Sequence, residues 1–325
     1  MQINRDNTSG QRPLIVFTTC YPWIKRIVAE VQPPDFDVRF LEISDDKAVE
    51  TVLPQADFLV CLALNVQQAH LLRNCKLVMH NGVGYDDIAL ETLRDLAIPF
   101  AITPAMTPEG VAEHTLMLIL ALYKQLPAVQ QSMRRGEWNM FGWREGSHNL
   151  AGKTLGIVGL GRIGKRVAHL AYAFGCQIIY NDIVPMPREL ERSLDLQRVD
   201  LDTLLTQADI ITLHVPLTEL TEGMIGAAEF DRMSPQSLFI NTSRGKICDL
   251  DALYDAVVSG HLLGAGIDVY LPEPPPPLHP ILQLANVICT PHIASGTVER
   301  QYAINRAQFA NCQRVLAGEP PHNLI

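Results

Sequence analysis

The sequence predicts an α/β protein made of two doubly wound parallel sheets, and three observations carry that prediction. Short β-branched or apolar runs alternate with amphipathic stretches along almost the whole chain. The alternation falls into two series, one on each side of an irregular segment at 126–149. The length, 325 residues, suits two domains at roughly 150 residues each. Strand–helix alternation with continuous apolar runs marks βαβ units, whose parallel strands are buried on both faces.

The first series places strands at 14–17, 38–40, 58–60, 77–79 and 100–102, with amphipathic stretches at 25–31 and 69–72 between them. The second places strands at 154–158, 178–180, 210–213, 238–240, 264–269 and 287–289. Helices are expected at 163–174, 201–205, 227–233 and 250–258. Asp249 is placed to cap the last of these, and Gly260 to stop it. A final helix is expected at 298–316, before a Pro-rich end. The 126–149 segment, with Trp138 and Trp143, reads either as an arm that packs on another subunit or as a connector.

Composition narrows the function. A hydrophobic fraction of 47% with 19% charged residues excludes a disordered or fibrous chain. The net charge of -9 argues against nucleic acid or an anionic membrane as main partner. It leaves a small anionic substrate open, because a pocket can be positive on a negative protein. The N-terminal MQINRDNTSGQRP has no apolar core, so no secretory signal is expected. The most apolar stretch, 111–123, carries Glu113 and His114 and falls short of the ~18 unbroken apolar residues of a membrane span. Seven cysteines show no CxxC pair and no Cys/His ligand spacing. They read as buried reduced thiols, with no metal, in a soluble cytoplasmic protein.

Gly159-Leu160-Gly161-Arg162-Ile163-Gly164 matches G-x-G-x-x-G. Alone the pattern is common. Here a strand precedes it, a helix follows it, and Asp182 ends the next strand 23 residues after Gly159, which is the context a dinucleotide site requires. The first glycine allows the tight turn, the second admits pyrophosphate, and the third lets helix pack on strand. The helix start offers unpaired N–H groups to phosphate. Asp182 can accept hydrogen bonds from ribose hydroxyls and would repel a 2′-phosphate, favouring NAD, although Arg188 nearby keeps NADP open.

Three further segments each follow a strand, where a parallel sheet lines its ligand crevice. In NTSRG, Arg244 can clamp a carboxylate with two hydrogen bonds. In GIDVYLPEPPPPLHP, Asp268 ends a strand and Glu273 is held between two prolines. In TPHIA, His292 is placed for acid/base work.

In this order, GLGRIG, HVPLTELT, NTSRG, GIDVYLPEPPPPLHP and TPHIA resemble the D-isomer-specific 2-hydroxyacid dehydrogenase family, over nearly the whole chain and most densely from Asn81 to Thr297. The resemblance implies a Rossmann NAD-binding domain, 105–296, inserted into a flavodoxin-like substrate domain formed by 1–104 and 297–325, with the active site in the cleft. It also implies a homodimer. Arg244, Glu273 and His292 fall on the family's catalytic arginine, glutamate and histidine. Asp268 falls on the aspartate that holds the nicotinamide carboxamide. Arg162 and Ile163 fall on the amides at pyrophosphate, and Thr107, Val215, Pro216, Thr242 and Ser243 on further cofactor neighbours. Asn81-Gly82-Val83-Gly84-Tyr85-Asp86 is similar to the loop whose amides, here of Val83 and Gly84, grip the substrate carboxylate.

The implied reaction is hydride transfer between nicotinamide and C2 of a small 2-oxo or 2-hydroxy acid. His292 exchanges the proton with Glu273 holding it, and Arg244 orients the carboxylate. Cys61-Leu62-Ala63-Leu64-Asn65 lacks the basic residues that phosphoglycerate dehydrogenases carry near this loop, which points to an unphosphorylated acid. Ala89 replaces an acid common in the family. A formate or phosphite dehydrogenase, or a non-catalytic NAD(H)-sensing corepressor, could be built on the same fold.

Overall fold

Strands buried along their whole length have no face to show to water, and the first sheet is built around three of them. A computed structural model describes residues 12–325; residues 1–11, most of the stretch with no expected secretory signal, lie outside the described residues. The chain divides into two compact units, Met1–Thr107 with Thr297–Ile325, and Pro108–Gly296.

The first unit holds β1 (Leu14–Phe17), β2 (Asp37–Phe40), β3 (Phe58–Cys61), β4 (Leu77–His80) and β5 (Phe100–Ile102). They pair in parallel in the order β2-β1-β3-β4-β5, the flavodoxin-like order. β1, β3 and β4 are buried throughout, whereas edge strand β2 alternates with exposed positions. On one face Phe17, Phe36, Phe58 and Phe309 form a ring cluster. Leu53, Leu59, Val78 and Leu93 pack the other. The helix Val298–Leu316, capped by the Thr297 side chain, supplies Phe309 and Cys312 to the first face.

The second unit holds β6 (Thr154–Val158), β7 (Gln177–Asn181), β8 (Leu196–Arg198), β9 (Ile210–Leu213), β10 (Leu238–Asn241), β11 (Gly264–Ile267) and β12 (Val287–Cys289). Their order is β12-β11-β10-β9-β6-β7-β8, all parallel. Two apolar clusters cover the two faces. One gathers Leu118, Leu155, Ile157, Val167 and Ile240; the other Val158, Ile211, Phe230, Phe239 and Ile267. Both sheets are therefore doubly wound, as the alternation requires. The helix Leu250–Val258 starts at Asp249, whose side chain accepts from the Asp251 and Ala252 amides, and ends before Gly260 at φ +76°.

Four local expectations need correction. The 126–149 segment is not irregular throughout: Leu126–Arg134 is helical, with Pro127 in its first turn, and Gly142–Glu145 forms another turn. Leu126, Met133, Trp138, Met140 and Phe141 face outward, so no buried periodicity marked it. The helix expected at 69–72 lies one turn earlier, Val66–Ala69, fixed by a capping box between Asn65 and Gln68. β11 stops at Ile267, leaving Asp268 just past the strand. Of the seven free cysteines, Cys61, Cys176 and Cys312 are buried, but Cys20, Cys75, Cys248 and Cys289 are only half-buried. Among the described residues no helix is long and apolar enough to cross a membrane.

Candidate active site

The glycine fingerprint forms the turn from β6 into the helix Arg162–Ala173. Gly159 sits at φ +91°, open to glycine at little cost. A Cβ on Gly164 would stand 2.1 Å from the Gly159 carbonyl oxygen, so the helix rests directly on the turn. Gly161 is the N-cap, with no side chain satisfying the first-turn amides and no atom within 4 Å of where its Cβ would be. Unpaired amides at a helix start beside open space fit a pyrophosphate. Arg162 is exposed and Ile163 half-buried.

Asp182 reaches back to this turn. Its Oδ2 accepts from the Leu160 amide at 2.6 Å and its Oδ1 from the Val184 amide at 2.8 Å. Arg198 donates to the Asp182 carbonyl at 2.8 Å, while Arg188 is exposed. Val215 and Pro216 follow β9. A Cβ on Gly159 would meet Val215 Cγ1 at 2.7 Å, which places Val215 against the glycine turn. The neighbouring His214 hydrogen-bonds Thr212 Oγ1 at 3.0 Å, and burial pulls its imidazole down to about 3.

The turn after β10 is organised by Asn241, which sequence reasoning passed over. Its Oδ1 accepts from the Ser243 amide and hydroxyl, and its Nδ2 donates to the Arg244 carbonyl. An Asx-type turn of this kind was legible in the NTSRG string. Thr242 Oγ1 lies 3.2 Å from Thr115 Oγ1, and the half-buried Arg244 donates from one terminal nitrogen to the Ser243 carbonyl at 2.7 Å. Gly245 has no room for a side chain: a Cβ would stand 2.0 Å from the Tyr270 carbonyl oxygen. The arginine turn thus lies against the loop that carries Glu273.

Glu273 bridges backbone and imidazole. Its Oε1 accepts from the Tyr270 amide at 2.9 Å, and its Oε2 lies 2.7 Å from His292 Nδ1. His292 sits at φ +52°, which a histidine adopts only where surroundings hold it. Those surroundings are supplied by Asp268. The fully buried Asp268 accepts from Thr290 Oγ1 at 2.5 Å and the Ile293 amide at 2.9 Å on one oxygen, and from the Ala294 amide at 2.8 Å on the other. Its carbonyl accepts from the His292 amide at 2.8 Å. Asp268 thus ties the end of β11 to the histidine turn.

Thr290 and His114 extend that network, and the sequence did not single them out. His114 Nε2 lies 3.0 Å from Thr290 Oγ1. Since the threonine hydroxyl donates to Asp268, it accepts from a neutral His114. Burial lowers the His114 pKa, with Asp268 opposing.

In the first unit, the loop after β4 carries Val83 and Gly84. Among the described residues their amides have no acceptor. Thr107 also lies in this unit, and its buried hydroxyl accepts from Arg300 Nε at 3.0 Å.

Residues 116–294 match the profile of the D-isomer specific 2-hydroxyacid dehydrogenase, NAD binding domain. The chain is 36% identical to a glyoxylate reductase of Aeropyrum pernix over 303 residues, 90% of this chain and 87% of that protein. It is 36% identical to a hydroxypyruvate reductase of Thermotoga maritima, over 77% of this chain and 81% of that one. The crystal structure of apo D-mandelate dehydrogenase from Rhodotorula graminis superposes with a TM-score of 0.85 at 27% identity, covering 97% of this chain and 98% of that one.

Proposed function

Because the chain belongs to the D-isomer-specific 2-hydroxyacid dehydrogenase family, whose members are nicotinamide-dependent oxidoreductases acting on CH–OH donors, we propose that it reduces a small unphosphorylated 2-oxo acid to the D-2-hydroxy acid, with NAD as cofactor. The observation that carries this reading is the 2.7 Å pairing of His292 Nδ1 with Glu273, which leaves Nε2 for a substrate oxygen.

A nicotinamide cofactor, when bound, would supply the hydride for C2 in reduction. His292 gives its Nε2 proton to the oxygen at C2, so hydride and proton together make the hydroxyl acid; in oxidation it takes that proton back. Glu273 holds the ring and stabilises the imidazolium. Arg244, with the Val83 and Gly84 amides, binds the carboxylate and polarises the carbonyl. In this reading the first unit is the substrate domain, and Pro108–Gly296 holds the dinucleotide: Gly159, Gly161, Gly164 and the Arg162 and Ile163 amides at pyrophosphate, Val215, Pro216, Thr242 and Ser243 beside it. Thr107 joins as a polar neighbour. Asp182 favours NAD over NADP by opposing a 2′-phosphate.

The absence of any cation in the Cys61–Asn65 sequence and the half-exposed Leu62 favour a small or apolar substituent on the acid. Glyoxylate and hydroxypyruvate, named for the two relatives, are the first candidates, and an aromatic acid, as for the mandelate enzyme, the next. The outward Trp138 (78% exposed) and Phe141 (71%), with Leu126, Met133 and Met140 on the same segment, offer apolar surface to a second copy of the chain. The free thiols fit the cytoplasm.

The test is NADH oxidation across a panel of 2-oxo acids, run in parallel with NADPH and with chiral analysis of the product. Reduction of at least one unphosphorylated acid to its D-isomer supports the reading. Turnover confined to formate or phosphite oxidation, or cofactor binding without any turnover, overturns it.

A further inference from the structure

Beside Ile304, Phe309 and Cys312, the helix Val298–Leu316 buries a row that is not apolar. Arg300, Gln301, Asn305, Gln308 and Asn311 are all buried along it. Four of these residues lead to one place. Gln301 Nε2 donates to Asn305 Oδ1, Asn305 Nδ2 to Gln308 Oε1, and Gln308 Nε2 to Asn81 Oδ1. Arg300 donates from a terminal nitrogen to the Asn81 carbonyl at 3.2 Å and from Nε to Thr107 Oγ1 at 3.0 Å. Gly82 makes room for it, since a Cβ there would stand 3.3 Å from the guanidinium.

A buried polar row is costly unless every group is satisfied, and a buried charge more so. Arg300 is 8% exposed, and among the described residues no carboxylate pairs with it. Burial alone pulls its guanidinium down to about 10. The chain thus places an unneutralised cation under the 81–86 loop, although acids outnumber bases by 35 to 26 in the sequence. The guanidinium draws on the carbonyl of the Asn81–Gly82 peptide, and the Thr103 amide draws on the Gly82 carbonyl at 3.0 Å. Each bond strengthens the N–H at the other end of its peptide as a donor.

Resting on the reading that this loop grips a 2-oxo acid, we infer that Arg300 is a positioning residue for the substrate carboxylate, holding the 81–86 loop from its buried side at the Asn81–Gly82 peptide. It need not touch substrate. The anion brought to the loop supplies the negative charge that the fold leaves out. A residue present only to hold the unit together would move stability and leave substrate affinity alone.

The experiment compares the full-length wild type with Arg300→Met and Arg300→Lys, by steady-state kinetics on the best 2-oxo acid, inhibition by oxalate, and NADH binding by fluorescence. For Arg300→Met the KM and the oxalate inhibition constant rise together by about 10- to 100-fold, the span of one charge-assisted hydrogen bond. The kcat changes little, and NADH affinity falls far less than carboxylate affinity, since the Thr107 hydroxyl loses one donor only. Arg300→Lys, which keeps the charge, recovers part of the loss. Should Arg300→Met not fold, Arg300→Lys and Gln308→Leu carry the test, each with a smaller rise in KM. An active wild type with unmoved KM in the folded variants overturns the role of Arg300 and leaves the enzyme reading intact. A wild type inactive on every 2-oxo acid overturns both.

Discussion

Glu273 divides its carboxylate between two partners: one oxygen takes the Tyr270 amide at 2.9 Å, the other faces His292 Nδ1 at 2.7 Å. The backbone bond fixes the carboxylate, and the carboxylate fixes the ring. His292→Ala should therefore lower turnover by ~10²–10⁴-fold, the range for losing a general acid/base, with NADH affinity unchanged by fluorescence titration. Glu273→Gln should cost less than that, yet still lower turnover, because its single acceptor oxygen serves either the Tyr270 amide or His292 Nδ1 and a neutral amide cannot stabilise the imidazolium. Full activity in His292→Ala would remove the histidine from the chemistry.

Thr290→Val should destabilise the folded chain. It takes a donor from the buried Asp268 and an acceptor from His114. Each buried polar group left unsatisfied costs about 1–3 kcal/mol. Urea unfolding reads the loss, and kcat should fall with it as the His292 turn loosens.

The glycines separate folding from cofactor binding. Gly161→Ala meets nothing within 4 Å and keeps an ordinary φ of -73°, so its thermal midpoint should stay within a few degrees of wild type. Its NADH dissociation constant should rise about tenfold or more, because the methyl occupies the space a pyrophosphate needs. Gly164→Ala, forced against the Gly159 carbonyl, should lose stability as well as binding.

Acid should weaken the fold through two histidines. Burial holds His214 down to about 3 and lowers His114. Below the ordinary value of about 6.5, the unfolded chain takes up protons that the folded chain refuses, so stability falls as pH drops from there toward 3. Urea midpoints measured between pH 7 and 4 should decline, and His214→Asn should flatten the decline. An unchanged slope in that variant would show that His214 titrates normally.

The regular parts of this fold were legible because their apolar runs are unbroken. β1, β5, β6, β9 and β12 could be read residue by residue, and β3 and β4 to within one residue. β8 was missed: only Leu196 of its three residues is buried, too little pattern to see. The paired His292 and Glu273 could be found from their places after strands, and the comparisons add the family. What holds them was hidden. His114 lies in an apolar helix and Thr290 in a short connection, and they meet Asp268 only across the sheet's end. Arg300 was invisible for a different reason: a helix face of Arg, Gln and Asn reads as solvated, and here it is buried.

β10, β11 and β12 are immediate neighbours in the second sheet, spaced by about 4.8 Å each. The segments bearing guanidinium, carboxylate and imidazole therefore leave the sheet as adjoining teeth of one comb. Fraying of the outer helices would not change their spacing, because the ladder between the strands sets it. The reactive groups should keep their alignment until the strands themselves part, making loss of activity on heating a late event rather than an early one.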